Sequence, residues 1–147
     1  MITLYTIGFT KKSAERFFGL LRDNGVKMLV DVRISNSGQL AGFAKGKDLE
    51  FFTKEICHIP YRHITDFSPT KDLLDKWHKQ EVTWSEYDEI YVRMLEERNI
   101  LQKYGIKQFD GACFLCSEEI AECCHRRLLA EYLKKHSAEE VQILHLK

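Results

Sequence analysis

Short apolar runs alternate with helical stretches along this chain, and that alternation is what most restricts its fold. Leu4-Tyr5-Thr6-Ile7-Gly8 is β-rich and ends in glycine; Met28-Leu29-Val30-Asp31-Val32-Arg33 is a second such run. Between them Phe17, Phe18, Leu20 and Leu21 recur at helical spacing, from Ser13 as a candidate N-cap to Gly25, a suitable residue just past a helix end. Two strands joined through a helix form a parallel β-α-β unit, because the crossover returns the chain to the same end of the sheet. The pattern continues. Leu49, Phe52 and Ile56 mark a short amphipathic helix, Tyr61 to Ile64 a strand, and Leu73, Leu74 and Trp77 a helix after Pro69-Thr70. Ser85 is placed to cap a long helix with Ile90, Tyr91, Met94, Leu95 and Leu101 on its apolar face, closing at Gly105. Ala112 to Cys116 is the next strand, Ala121 to His136 the last helix and Val141 to Leu146 a terminal strand. The expected fold class is α/β, an open and mostly parallel sheet with helices on both faces in three layers. At 147 residues a single domain spanning 1–147 is expected.

Sheets of this kind bind ligands beyond the carboxyl ends of their strands. Thr6 to Gly8, Asp31 to Arg33 and Cys116 to Glu118 all occupy such ends, so they are expected to share one edge. The stretch from Phe114 to Arg127 concentrates the chemistry there, with thiols, an imidazole and two guanidiniums where a strand hands over to a helix. A helix N-terminus presents unpaired N–H groups and the positive end of the dipole, which favour anions and thiolates.

Cys124 is a nucleophile candidate by that position, against the plainer reading of a small buried hydrophobe. His125 shares a face with Leu128, Leu129 and Tyr132, which turns it toward the sheet as an acid or base, or as a core histidine. Glu118 is a second acid or base. Asp31 and Arg33 leave the same face of their strand, so Arg33 is placed to grip a phosphate or carboxylate while Asp31 orients it; a strand-end ion pair is the alternative. Arg126 is a second anion ligand. Tyr61, His63 and Lys71 are candidates to line the cleft, and Ser35 to Lys47, with three glycines, is long enough for a lid. Cys113 and Cys116, three apart on an extended strand, point to opposite faces and do not chelate together. Cys116, Cys124 and His125 can supply three zinc ligands across the loop, although their spacing matches none of the usual paired knuckles. No metal and no cofactor is assigned. No G-x-G-x-x-G, P-loop, G-x-S-x-G or phosphatase-type cysteine-to-arginine spacing is present.

Twenty-two basic and 22 acidic residues cancel, which argues against duplex nucleic acid as a partner and leaves a small anionic ligand as the expected one. Five cysteines, an odd count, fit a reducing compartment and a cytoplasmic protein. The apolar start is far too short to span a bilayer, so no membrane association is expected. Oligomeric state is not legible.

These residues together resemble the family called domain of unknown function 488. The resemblance rests on Tyr5-Thr6-Ile7-Gly8, Val30-Asp31-Val32-Arg33, Phe43, Tyr61 with His63, Phe114-Leu115-Cys116 with Glu118, and Cys124-His125-Arg126, and so runs nearly end to end. Asn36 and Gly38 stand where the family more often has proline and serine, and the Leu-Gly-Gly usual after the histidine is absent, which looks like a variant branch. The resemblance supports the fold and the position of the site, with Phe43 among its matches; Asn36 and Gln39, in the variant stretch, are expected with Phe43 at the ligand site. The leading functional expectation is a small enzyme acting on a phosphorylated or nucleotide-like molecule, with Arg33 and Arg126 on the anion, Glu118 or His125 as acid or base and Cys124 as nucleophile. A non-catalytic module sensing such a ligand and a structural zinc domain are the alternatives.

Overall fold

The structure is a computed structural model that describes residues 1–37, 42–118 and 121–147. Among these residues five parallel strands form the sheet: β1 (Ile2–Gly8), β2 (Met28–Asp31), β3 (Tyr61–His63), β4 (Ala112–Cys116) and β5 (Val141–His145), in the order β3-β2-β4-β1-β5. The helices are α1 (Ala14–Asp23), α2 (Gly46–Phe52), α3 (Lys71–His78), α4 (Trp84–Glu97), α5 (Ile100–Lys103) and α6 (His125–Lys135). The arrangement is the open three-layer α/β fold that the alternation implies.

Strand side chains alternate between two cores, as the pleat requires. Leu4, Val30, Val32, Phe114 and Cys116 pack with residues of α4 and α6, whereas Ile7, Leu29, Cys113 and Leu115 pack with α1 and α2. Cys113 and Cys116 thus lie on opposite faces. The connections from β1 to β2 to β3 move one way across the sheet with α1 and α2 on one face. Those from β3 to β4 to β5 move the other way with α3, α4 and α6 on the opposite face, as crossovers of constant hand demand.

Local chemistry sets the boundaries. The Ser13 hydroxyl accepts the Arg16 N–H to open α1, and Gly25 at φ 66° follows its end. The long helix opens at Thr83, not Ser85: Thr83 and Glu86 bond reciprocally as a capping box. It also ends before Gly105, because Asn99 turns left-handed at φ 54° and starts the separate α5. That break leaves Leu101 exposed, as Ile90 is, while α4 buries the expected Tyr91 and Leu95 together with Tyr87. The last helix opens at His125 and not at Ala121, because the Cys124 N–H closes a turn on the Ala121 carbonyl and leaves Cys124 extended. β2 stops at Asp31 because the Arg33 N–H turns to the Asp31 carboxylate in place of a ladder partner.

Among the described residues no helix is long and apolar enough to cross a membrane.

The face that carries α4 depends on one polar contact. Tyr91 is fully buried and its hydroxyl donates to the Phe67 carbonyl at 2.7 Å. Tyr91→Phe strands that buried acceptor and is expected to cost about 1–3 kcal/mol, seen as a melting temperature several degrees lower; an unchanged melting temperature would show that water satisfies the carbonyl.

Candidate functional site

A cavity of about 510 Å³ opens at the carboxyl edge of the sheet. Its sides are formed by the end of β4, the start of α6 and the α3–α4 layer. Cys116, Cys124 and His125 line it together with Arg33, Lys71 and Glu118, and Trp77, Trp84 and Tyr87 make an aromatic wall. Strand register explains the convergence. Gly8 lies level with Cys116, and Asp31 level with Leu115 and His63, so the strand ends fall at one edge.

The sulfur and imidazole groups form a closed cluster. His125 Nε2 lies 2.8 Å from the Val32 carbonyl oxygen, which can only accept, so the proton sits on Nε2 and Nδ1 faces the Cys116 sulfur at 3.6 Å. Cys116, Cys124 and His125 are 5%, 3% and 4% exposed, and their ligand atoms lie within 4.8 Å of one another. The two thiols differ. The Cys124 thiol donates to the Cys116 sulfur, and with the Ser117 N–H and the Arg126 charge this lowers the Cys116 pKa despite burial. Burial pushes Cys124 well up, and its donation to Cys116 adds to the effect. The helix terminus does not decide the matter for Cys124, which sits extended ahead of α6 and is surrounded by packed groups.

A second network fixes the β2 end. Arg33 Nε and Nη2 reach the two Asp31 oxygens at 2.8 and 2.7 Å, Nη2 also donates to the Ala44 carbonyl, and the Tyr61 hydroxyl donates to Asp31 at 2.6 Å. Burial works against the Arg33 charge, and the hydrogen bonds and charge of Asp31 outweigh it, so the guanidinium is held protonated. Burial, then the Asp31 charge, push the Tyr61 phenol well up and keep it a neutral donor. Arg33 Nη1 is buried with no hydrogen-bond partner among the described residues, and so is the indole N–H of Trp84 on the other wall.

Arg126 is 1% exposed. Its Nη1 donates to the Glu118 carbonyl at 2.6 Å and approaches the Cys124 sulfur at 3.6 Å. Gly8 makes room for this: a Cβ there would overlap the Glu118 carbonyl and lie 2.8 Å from Arg126 Nη1. The Ser117 carbonyl is held in turn by the Thr10 backbone and hydroxyl.

Of the residues singled out by sequence, Arg33, Lys71, Cys116, Glu118, Cys124 and His125 line the cavity. Asp31, fully buried, and Arg126 stand behind it. Tyr61 and Asn36 belong to the Asp31 network, the Asn36 amide donating to the Tyr61 hydroxyl at 2.9 Å. His63 donates to the Arg33 carbonyl at 2.7 Å, and Phe43 packs its ring against Phe17 and Phe18. Gln39 lies outside the described residues. Sequence reasoning missed Trp77, Trp84 and Tyr87, whose helical spacing reads as ordinary core; the signal available was two tryptophans and a tyrosine within eleven residues.

The cluster fixes a thiol order. Alkylation of Cys116 is expected to rise at lower pH than that of Cys57, whose thiol burial pushes up. Cys124→Ala removes the donor and moves the Cys116 profile to higher pH, whereas Cys124→Ser keeps a hydroxyl donor and moves it less. Mass-spectrometric mapping across a pH series reads both, and a Cys116 profile indifferent to Cys124→Ala would contradict the assignment.

Comparison with known proteins adds the family and little else. No curated protein and no solved structure matches the chain. A family model does, over residues 13–133, a span that takes in the Asp31–Arg33 network and the whole Cys116 to Arg126 segment. The chain therefore belongs to the family described as domain of unknown function DUF488.

Proposed function

We propose that the chain is a small cytoplasmic enzyme acting on a phosphorylated or nucleotide-like small molecule, with the cavity as its binding site and the Cys116, Cys124 and His125 cluster as its reaction centre. One observation carries the reading: two buried donors without hydrogen-bond partners among the described residues, Arg33 Nη1 and the Trp84 indole N–H, belong to residues on the walls of a cavity that also exposes Lys71. Buried donors are normally satisfied, and a ligand rich in acceptors would satisfy these. The aromatic wall suits a flat ring; Trp84 and Tyr87 already stack at 4.8 Å.

Roles follow from position. Arg33 and Lys71 take the anion, with Asp31 positioning the Arg33 fork. Arg126 holds the loop at Glu118 and lends its charge to the thiols. Glu118, exposed on the cavity rim, is the acid or base open to a ligand, and His125 is the partner of the thiol. Of the two clustered thiols Cys116 is the one held below its ordinary range and Cys124 the one pushed up, so the nucleophile role passes from Cys124 to Cys116. A non-catalytic sensing module is the second reading, favoured by the burial of both sulfurs.

Thermal shift with inorganic phosphate and with nucleoside monophosphates tests binding. A ligand at about a hundred times its dissociation constant adds about 2.7 kcal/mol, a rise of several degrees. Lys71→Ala and Trp84→Phe, neither of which removes a buried charge, are expected to cut that rise; an increment that survives both places the anion elsewhere, and no increment with any probe rejects the reading. Turnover of a stabilising ligand separates the enzyme from the sensor.

A further inference from the structure

We propose that Cys116, Cys124 and His125 form a three-ligand site for a thiophilic divalent metal, Zn²⁺ in the first instance, with a fourth position facing the cavity. The inference deepens the reading of this cavity as the reaction site and rests on it.

The distances are those of a coordination sphere. With Zn–S of about 2.3 Å and Zn–N of about 2.0–2.1 Å at tetrahedral angles, ligand sulfur and nitrogen stand about 3.5 Å apart and two sulfurs about 3.8 Å apart. Cys116 Sγ and His125 Nδ1 are 3.6 Å apart, and the three ligand atoms lie within 4.8 Å of one another. The imidazole is already set for this task. Its Nε2–H is spent on the Val32 carbonyl at 2.8 Å, so the lone pair of Nδ1 is turned toward both sulfurs. A carbonyl accepting the distal N–H is the usual outer partner of a metal-bound histidine, fixing tautomer and ring plane. The Arg126 guanidinium, 3.6 Å from the Cys124 sulfur, is a charge-assisted donor to a ligating thiolate.

The donor set selects the metal. Two sulfurs and one imidazole nitrogen suit Zn²⁺, and hard Mg²⁺ or Ca²⁺ would need oxygen ligands that the cluster does not offer. Binding releases the two thiol protons to solvent; two thiolates and one neutral imidazole then balance the dication, leaving a centre of net zero charge that needs no further protein anion. All three residues line the cavity, so the fourth position is open to water or a substrate atom, which marks a catalytic site in preference to a closed structural one. The anion-binding side chains stand on the same walls. A bound phosphate or carboxylate oxygen would therefore lie beside the metal.

The competing arrangement uses the same atoms without metal, Cys124 donating to Cys116 and Cys116 donating to Nδ1. Titration of the full-length, reduced, metal-stripped protein with Co²⁺ and Zn²⁺ separates the two. Expected are one equivalent bound, sulfur-to-cobalt charge-transfer absorption with strong visible bands of tetrahedral Co²⁺, displacement by Zn²⁺, about two protons released per ion, and protection of Cys116 from alkylation. Cys116→Ser and Cys124→Ser should each abolish the charge-transfer band or weaken binding at least tenfold, while Cys123→Ser, an exposed thiol outside the cluster, should leave it intact. Circular dichroism and melting of each variant report whether it folds, and Zn²⁺ protection of Cys116 in the unaltered chain serves if the serine variants do not. Failure of the reduced protein to bind either ion stoichiometrically, or a charge-transfer band that persists in the Cys116→Ser/Cys124→Ser double variant, overturns the site. Phosphate and nucleotide thermal shifts run on metal-free and Zn²⁺-loaded protein keep the two readings apart. Anion stabilisation without metal binding removes the metal site alone, and metal binding with no anion stabilisation in either form removes the proposed function alone.

Discussion

The hydrogen bond from His125 to the Val32 carbonyl is the contact on which the site depends. It ties the first residue of α6 to the end of β2, across β4, and so joins two elements that are far apart in sequence. A carbonyl cannot donate, so the bond decides which imidazole nitrogen carries the proton. Everything at the sulfurs follows from that choice. With Nε2 committed, the Nδ1 lone pair is left to the sulfur cluster, 3.6 Å from Cys116 and within 4.8 Å of Cys124. A rotated ring or the other tautomer would leave Cys116 and Cys124 as packed hydrophobes.

The Asp31–Arg33 pair plays the same part on the other side of the cavity, at higher energetic stakes. Both groups are buried, and desolvating two charges is recovered only through near-complete hydrogen bonding. Asp31 accepts from the Arg33 fork, the Arg33 N–H and Tyr61, which accounts for both of its oxygens. Arg33 is satisfied at Nε and Nη2 alone. Removing either partner would strand a buried charge at a cost of about 3–5 kcal/mol, so the pair is maintained as a unit, and Arg33 is the member of it that lines the cavity. Phe9, with the guanidinium carbon 5.3 Å from its ring centroid, covers the cation from the α1 side.

Much of this was readable in the chain and some was not, for identifiable reasons. The alternation of β-rich runs and helical spacing led to the sheet, the rule for strand carboxyl ends led to Arg33, Cys116 and Glu118, and the helical face shared with Leu128, Leu129 and Tyr132 led to His125. Helix boundaries were missed where a side chain outcompeted the visible signal. Thr83 with Glu86 makes a capping box that Ser85 lacks the partner to make, and Asn99 breaks α4 well before Gly105. The surroundings of Arg126 and Cys124 depend on burial and on which neighbour donates to which, and adjacency in sequence carries neither. Trp77, Trp84 and Tyr87 look like core by spacing because amphipathic periodicity cannot tell a buried face from one that borders a cavity.

Nitrogen-resolved NMR of the His125 ring in reduced, metal-free protein tests the central claim most directly. The account predicts that the neutral ring carries its proton on Nε2, with that N–H bonded to a carbonyl, and that addition of Zn²⁺ changes Nδ1 alone. A ring protonated on Nδ1 with Nε2 bare would contradict it, because the sulfurs would then face a donor that cannot bind a metal and the tie between α6 and β2 would be absent.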